Sequence, residues 1–267
     1  MPAPEVGSSS AVNYLEYFRG HVLDEILVKK VGQAKHRRRR AEDIRQAKHR
    51  LNPTRVDAIR SALNRIRSDS NSLSGSVLIT TAHGKFFSNG YDLAWAGSSP
   101  EKIRLLSSKL RDLVADLISF PMPTSPPSLA RPGSSPTAMI SPGQALHPKR
   151  SVCAAGMIFA LCHDYAVMRK DRGFVYMSEM DIGLKISAWF MAVISCKIGD
   201  ARVRRNVVLG ARKLNGGASC GERNYRRCVR DGGEDSEGAL ELGEKLVRKG
   251  NGQVYNENRK QLYKDFR

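Results

Sequence analysis

Residues 154–184 read AAGMIFALCHDYAVMRKDRGFVYMSEMDIGL, and this stretch decides the fold class. Its opening residues are apolar on every side of a helical projection, which predicts a fully buried helix over 154–162. Two short apolar runs follow at 165–168 and 174–177, and their length and composition predict strands. A buried helix that alternates with short strands favours an α/β fold.

The flanking sequence continues this alternation of helices and strands. Asn52-Pro53 fits the cap and the first position of a helix that ends near Ser68. The β-branched run 76–81 predicts a buried strand, and a second helix opens at Ser99 and stops before Pro121. Further helices are predicted over residues 188–198, 201–209, 236–249 and 254–266.

Residues 1–50 differ from the rest of the chain in charge. The chain has a formal net charge of +18, and lysines and arginines far outnumber acidic residues between Lys29 and Arg50. Apolar residues at helical spacing predict a helix over 12–31. A basic run can bind nucleic acid, but no aromatic platform accompanies this one, so we favour a solvated tail and expect no nucleic-acid partner. We therefore predict a basic, partly disordered or helical segment over 1–50, followed by one α/β domain over 51–267.

A proline- and serine-rich stretch interrupts that domain at residues 122–152. Prolines recur there from Pro123 to Pro148, and a proline cannot donate to the ladder inside a sheet. We expect a disordered loop, in which 137–140 is the only strand-like piece.

Composition and termini exclude several classes of protein and site. No apolar run reaches about 18 residues, so no membrane-spanning helix is expected. The five cysteines are odd in number, form no CxxC pair and have no histidine cluster beside them, so neither a disulfide framework nor a metal site is expected. The N-terminus lacks the pattern of a secretory signal. The C-terminal residues Tyr263–Arg267 contain no peroxisomal targeting tripeptide.

Three short segments carry residues suited to catalysis. Residues 86–93, FFSNGYDL, put a glycine turn after a strand, and such a turn can leave backbone N–H groups pointing into a cleft. Residues 154–156 open the buried helix, whose first N–H groups have no partner within the helix. Glu179 follows an apolar strand, and burial would raise its pKa towards that of a general base. Taken singly, each segment more often has a structural role, so the residues alone leave both interpretations open.

Together, the three segments resemble the signatures of the enoyl-CoA hydratase/isomerase (crotonase) superfamily. FFSNGYDL resembles the FSxGxDL signature, and AAGMIFALCHDYAVM resembles the second signature, a glycine-rich helix start with its following strand. YMSEMDIGLKISAWFM resembles the third signature, where the isomerases keep their catalytic glutamate. These stretches are specifically similar to the plant peroxisomal Δ3,Δ2-enoyl-CoA isomerases. The resemblance covers about residues 51–124, 154–213 and, more loosely, 234–266.

The resemblance implies a crotonase (ClpP-like) fold of repeated β-β-α units with C-terminal helices. It implies isomerisation of 3-enoyl-CoA to trans-2-enoyl-CoA in the β-oxidation of unsaturated fatty acids, without a cofactor, because CoA is part of the substrate. Glu179 would carry the proton from C2 to C4, and the backbone N–H groups of Tyr91 and Ala155 would bind the thioester oxygen. The implied substrate-binding residues are Asn89, Asp92 and Leu93.

Further expectations follow from the resemblance alone. They are an acyl-CoA thioester as partner, a homo-oligomer (trimer or hexamer) and a peroxisomal location, with the cytoplasm as the alternative because the targeting tripeptide is absent. Hydratases of the family keep a second glutamate on the buried helix, where this chain has Ile158. The single carboxylate favours isomerisation over hydration.

The chain departs from the family pattern at residues 1–48, 125–152 and 215–233. We expect the N-terminal β-hairpin, the short strand that aims Ala155, and a helix with an apolar segment to be missing there. Such abrupt departures are typical of a retained intron or a shifted reading frame. Two alternatives to an active isomerase therefore stay open: a catalytically impaired or inactive crotonase homologue, and a basic nucleic-acid-binding protein.

Overall fold

The computed structural model describes residues 12–20, 23–31, 49–68, 76–81, 86–121, 124–125, 151–165, 167–169, 173–215, 227–229 and 252–264. The strands are β1 Val12–Gly20, β2 Leu23–Val31, β3 Ser76–Thr81, β4 Phe86–Ser88, β5 Thr124–Ser125, β6 Ser151–Cys153, β7 Val167–Arg169, β8 Val175–Tyr176 and β9 Arg227–Val229. The helices are α1 Pro53–Ser68, α2 Leu93–Ala96, α3 Pro100–Ile118, α4 Ala155–Leu161, α5 Ala188–Lys197, α6 Ala201–Val208 and α7 Gly252–Leu262. Strands and helices alternate, as an α/β fold requires.

The first sheet has the order β1-β2-β3-β5 and begins with an antiparallel hairpin. β2 pairs antiparallel with β3, from Glu25 opposite Thr81 to Lys30 opposite Ser76, and β3 pairs in parallel with β5. The helix predicted over 12–31 is therefore wrong. The N-terminal hairpin that the sequence comparison expected to be missing is present.

Strand pairing explains why the helix prediction failed. The segment combines helical spacing with β-branched and aromatic residues such as Val12, Tyr14 and Phe18, which favour strands. The segment forms strands because β3, from a distant part of the chain, supplies backbone hydrogen-bond partners for β2. The sheet thus joins residues on both sides of the boundary predicted at residue 50. Residues 1–11, 21–22 and 32–48, where the predicted disorder falls, lie outside the described residues.

The two long helices α1 and α3 pack against each other, and α1 also contacts β1 and β2. The Asn52 side chain accepts the Arg55 N–H at 2.9 Å, and the Ser99 side chain caps α3 in the same way. Both helices therefore begin where their capping residues predict. Their buried apolar faces include Val56, Ile59, Leu63, Ile66, Leu106, Leu110, Leu113 and Leu117.

The second sheet is parallel and has β6 between β4 and β8. All three residues of β6 are buried. The predicted loss of this strand is therefore wrong, because Ser151–Cys153 supplies it. A strand of this length is too short to show a hydrophobic pattern in the sequence. It is recognised in the structure by its pairing with β4 and β8. The loop predicted over 126–150, with its strand-like piece at 137–140, lies outside the described residues.

The third sheet pairs β7 with β9 in parallel. A short strand therefore lies within residues 215–233, where the sequence predicted neither a helix nor an apolar segment. The helix predicted over 236–249 lies outside the described residues, and the helix predicted over 254–266 occurs as α7.

One hydrophobic core joins α1, α3, α4 and α5 to the second sheet. Phe87 stacks on Phe159 with ring centroids 5.4 Å apart, and every residue of α4 is buried. Arg259 anchors α7 to this core, since it pairs with Asp164 and donates to the Phe120 carbonyl oxygen at 2.7 Å. In the part of the chain that the structure describes, no helix is long and apolar enough to cross a membrane.

Candidate active site

The first segment of the candidate site is the loop after β4. Gly90 has a φ of 77°, which glycine adopts without strain. The Leu51 N–H donates to the Gly90 carbonyl oxygen at 2.7 Å, and the Asp92 N–H donates to the Leu51 carbonyl oxygen at 2.9 Å. In this parallel arrangement the Tyr91 N–H points away from Leu51. It donates no hydrogen bond to any described residue.

The second segment is the turn from β6 into α4. The Ala154 N–H donates to the Tyr176 carbonyl oxygen at 2.8 Å, which fixes the turn on β8. Ala154 has a φ of 51°, a strained conformation for a residue with a side chain. The turn delivers Ala155 as the first residue of α4, where its N–H has no acceptor within the helix. Nor does this N–H donate to another group of the described chain.

The two segments meet at Gly90 and Ala154. A Cβ on Gly90 would lie 2.9 Å from the Cβ of Ala154 and 3.4 Å from the N of Ala155. Gly156 approaches Ser88 just as closely, since a Cβ there would lie 2.6 Å from the Ser88 carbonyl oxygen. The two unpaired N–H groups therefore belong to adjoining segments. Two such donors from separate segments are what an oxyanion hole requires.

Glu179 lies in the turns that follow β8 and is 8% exposed. Its Oε2 atom is buried and has no hydrogen-bond partner among the described residues. Burial raises the pKa of the carboxyl above its usual value, and a backbone hydrogen bond at Glu179 opposes part of that shift. The turn itself is closed by the Leu184 N–H, which donates to the Glu179 carbonyl oxygen at 2.8 Å. A buried carboxylate with an unused oxygen is suited to accept a proton.

The charge of Glu179 acts on residues in or beside both segments that carry the unpaired N–H groups. Burial raises the pKa of the Tyr91 hydroxyl, the nearby Ser107 hydroxyl lowers it, and the charge of Glu179 raises it further. Burial also raises the pKa of the Cys153 thiol to about 11, to which the Glu179 charge contributes while Lys213 opposes it. Tyr91 lies in the first segment, and Cys153 directly precedes the second. Tyr91, Ala155 and Glu179 follow the carboxyl ends of β4, β6 and β8, which are neighbouring strands of one parallel sheet, so the sheet brings these sequence-predicted residues to the same edge.

The other predicted site residues have different surroundings. Asn89 is half-buried, and its N–H donates to the His49 carbonyl oxygen at 3.4 Å. The Asp92 carboxylate accepts the Trp95 N–H at 3.3 Å and caps α2, and it lies 3.7 Å from the Arg50 guanidinium. Leu93 is 41% exposed. Asp92 therefore fixes the loop that carries Tyr91, whereas Leu93 lies at the surface.

Three residues near the site were not predicted from the sequence. The Tyr91 ring packs against Phe190 with centroids 6.1 Å apart, and the indole N–H of Trp189 donates to the Ser107 hydroxyl at 3.0 Å. The apolar composition of residues 188–198 predicts that the helix is buried, but it does not identify which residues Trp189 and Phe190 contact. No local signal could have found Ser107, since its partner is 82 residues away in the chain.

The described residues offer one buried acidic side chain, Glu179, and no group of His, Cys, Asp and Glu that could hold a metal ion. Ile158, on the buried helix, is 0% exposed and contributes no polar atom there. This region thus holds one buried carboxylate near two backbone donors, an arrangement suited to proton transfer.

Curated relatives cover most of the chain. It is 47% identical over 218 residues to the peroxisomal enoyl-CoA delta isomerase 1 of Arabidopsis thaliana, a match covering 81% of this chain and 82% of that protein. It is 38% identical over 224 residues to enoyl-CoA delta isomerase 3 of the same plant, with coverages of 82% and 85%. No family model matches the chain.

Solved structures with the same architecture share little sequence with it. The apo structure of an enoyl-CoA isomerase of Mycobacterium tuberculosis superposes with a TM-score of 0.66 at 15% identity, covering 96% of this chain and 92% of that one. An enoyl-CoA hydratase from Mycobacterium marinum gives the same TM-score and coverages at 16% identity. At such identities the likeness shows the fold alone, and it is the fold that the sequence predicted.

Proposed function

Because the chain belongs to the enoyl-CoA delta isomerase family and has the crotonase fold, we propose that it converts a 3-enoyl-CoA into the trans-2-enoyl-CoA. The observation that supports this most strongly is the buried Glu179, whose Oε2 atom has no partner among the described residues. It lies beside the segments that carry the unpaired N–H groups of Tyr91 and Ala155.

In this proposal the thioester carbonyl oxygen accepts hydrogen bonds from the Tyr91 and Ala155 N–H groups. The C2 proton is only weakly acidic, because its loss puts negative charge on that oxygen. Two fixed donors stabilise the charge as it forms, each by about 3–4 kcal/mol. Both N–H groups are held by the backbone before the substrate arrives, so little reorganisation accompanies the reaction.

Glu179 takes the proton from C2, and the electron pair delocalises over C2, C3, C4 and the thioester oxygen as a dienolate. The same carboxyl group then returns the proton to C4. The double bond moves from C3–C4 to C2–C3, and no group is added or lost. Burial supports this step, because a raised pKa makes the carboxylate a stronger base.

The apolar Ile158 supports isomerisation over hydration. Hydration needs a second polar group to activate water, and in the hydratases that the chain resembles this group is a glutamate on the buried helix. Ile158 occupies the matching position and is fully buried. Water therefore has no second carboxylate to bind there.

Substrate contacts, assembly and compartment belong to the same proposal. Asn89, Asp92 and Leu93 line the acyl-CoA site, with Asp92 acting through the loop that it caps. We propose a role in the β-oxidation of unsaturated fatty acids, a homo-oligomer and a peroxisomal location, since two of the Arabidopsis relatives are labelled peroxisomal.

The test is turnover of a trans-3-enoyl-CoA by the purified protein and by Glu179→Gln. Loss of the base should lower turnover by about 10²- to 10⁴-fold. Glu101→Gln is the matched control, because Glu101 is an exposed glutamate in the first turn of α3 and its loss should leave turnover unchanged. Wild-type turnover that persists in Glu179→Gln would remove the carboxylate from the mechanism.

A soluble, folded wild-type protein without turnover would favour the inactive homologue instead. The nucleic-acid alternative has no structural observation in its favour, since most of the basic run, residues 32–48, lies outside the described residues.

A further inference from the structure

A hydrogen bond between α5 and α3 has a fixed direction. The Trp189 indole nitrogen lies 3.0 Å from the Ser107 hydroxyl oxygen. An indole N–H can only donate, so the Ser107 oxygen accepts, and the Ser107 proton remains available for another acceptor. The structure records no other hydrogen bond of the Ser107 side chain among the described residues.

The nearest candidate for that proton is the Tyr91 hydroxyl oxygen. Ser107 lowers the pKa of Tyr91, as a nearby donor to the Tyr91 oxygen would. In the structure, the geometry between the two hydroxyls falls outside that of an ordinary hydrogen bond. Packing against Phe190 holds the Tyr91 ring in place. If the Tyr91 oxygen accepts from Ser107, its own proton must be donated elsewhere.

Glu179 offers the matching acceptor. Its Oε2 atom and the Tyr91 hydroxyl are both buried, and neither has a partner among the described residues. Tyr91 follows β4 and Glu179 follows β8, the strands on either side of β6 in one parallel sheet, so the two groups lie at the same edge of that sheet. The effect of the Glu179 charge on Tyr91 agrees with this placement. That charge also acts on the Cys153 thiol, whose pKa of about 11 keeps it neutral at ordinary pH. Lys213 acts on the same thiol in the opposite sense and lowers its pKa.

We propose that the Tyr91 hydroxyl is a positioning residue for Glu179, to which it donates a hydrogen bond through one bound water or after a small side-chain rotation. The chain of donors runs from Trp189 through Ser107 to Tyr91 and ends at the carboxylate. It orients the carboxylate towards the substrate carbons and stabilises its ionised form. Its importance for turnover rests on the proposed isomerase function, whereas the hydrogen bond itself does not.

Tyr91→Phe isolates the hydroxyl, because the variant keeps the ring and the backbone N–H. The direct measurement is the pH titration of the Glu179 carboxyl carbon by NMR in protein labelled with ¹³C at the glutamate carboxyl, the resonance being the one that Glu179→Gln removes. Loss of a donor to the carboxylate should raise the midpoint by about one pH unit. The acidic limb of the kcat/KM profile should move by the same amount.

Two variants complete the experiment. Ser107→Ala should move the midpoint in the same direction by less, because it acts through Tyr91. Tyr263→Phe is the control, because it removes the hydroxyl of another buried tyrosine. The charges of Asp164 and Arg259 act on the pKa of Tyr263, so this variant should leave the Glu179 midpoint unchanged.

An unchanged Glu179 midpoint in Tyr91→Phe would overturn the inference, even if the wild type turns over substrate. A raised midpoint in a wild-type background without turnover would support the hydrogen bond and reject the isomerase function. The two failures are therefore distinguishable.

Discussion

Two clusters of buried polar side chains differ in how many partners the fold gives them. Near α7, the Nδ1 atom of His163 lies 3.1 Å from the Phe159 carbonyl oxygen, and its Nε2 atom lies 2.6 Å from the Thr80 hydroxyl. The carbonyl can only accept, so the proton lies on Nδ1 and Thr80 donates to Nε2. Arg259 pairs with Asp164 in the same cluster.

The candidate active site has the opposite arrangement. Glu179 Oε2 and the Tyr91 hydroxyl are buried without partners among the described residues. An unsatisfied buried polar group costs about 1–3 kcal/mol, so it persists where something other than stability maintains it. The comparison teaches that the α7 cluster serves the fold, whereas the two groups at the candidate site are the ones that the proposed function would use.

The largest effect is expected at Glu179, where a substitution should remove turnover without lowering the free energy of unfolding. Besides losing turnover, Glu179→Gln should unfold at no lower urea concentration than the wild type at neutral pH, because it removes a charge that burial disfavours. The measurement is urea unfolding of both proteins. A stability loss above about 1 kcal/mol would assign Glu179 to the fold.

The opposite result is expected at Arg259, which is 3% exposed: a substitution there should lower stability and leave turnover nearly unchanged. Arg259→Met removes the buried guanidinium that pairs with Asp164 and should reduce the free energy of unfolding by about 3–5 kcal/mol. Turnover per folded molecule, measured at low temperature, should change little. The control is Lys260→Met, since Lys260 pairs with the exposed Glu257, and such a pair contributes about 0–1 kcal/mol. Equal losses in the two variants would contradict the role of the cluster.

A smaller effect should follow from pushing apart the two segments that carry the Tyr91 and Ala155 N–H groups. Gly156→Ala brings a Cβ to within 2.6–2.8 Å of Ser88 atoms, so the segments must separate. We expect a loss of about 1–3 kcal/mol in stability together with reduced kcat. Gly199→Ala is the control, because nothing lies within 4 Å of its added Cβ. Unchanged kcat in Gly156→Ala would mean that the spacing of the segments does not control the reaction.

The last expected effect is a pH dependence of opposite sign in the two clusters. Burial lowers the pKa of His163 to about 4, against about 6.5 in an unfolded chain. The unfolded state therefore binds more protons between these values, and stability falls as the pH drops from about 6.5 to about 4. The raised pKa of Glu179 works the other way, since acidification through it stabilises the fold.

Urea unfolding over this pH range gives the slopes. The acid-induced loss should be shallower in His163→Asn and steeper in Glu179→Gln than in the wild type. Parallel slopes in all three proteins would contradict the assignment of the two groups.

Local signals in the sequence predicted the long helices and the strands β3, β7 and β8. Asn52 and Ser99 act as caps in the structure as their residue types predict, and the run 76–81 forms β3 with the predicted bounds. The hairpin over 12–31 and the strand Ser151–Cys153 were not predicted, because both depend on partners far away in the sequence. Local composition carries no information about such partners.

The candidate site was predicted in part. The motifs led to Tyr91, Ala155 and Glu179, and the structure brings their segments together, while their catalytic roles remain predictions. The link between Trp189 and Ser107 was not predicted, because it depends on how α3 and α5 pack. The substrate-binding role that the motif comparison gave to Asp92 stays a prediction, and the structure adds that its carboxylate caps α2.

The short strand β6 also sets how this chain can tolerate insertions and deletions. Loop-closure entropy grows slowly with length, so doubling a flexible loop costs only about 0.6 kcal/mol, and a length change outside a strand has a small thermodynamic cost. One residue inserted between Ser151 and Ala155 would instead shift the register of β6 against β4 and β8. Since alternate residues of a strand face opposite ways, that single insertion would turn the helix start away from Gly90.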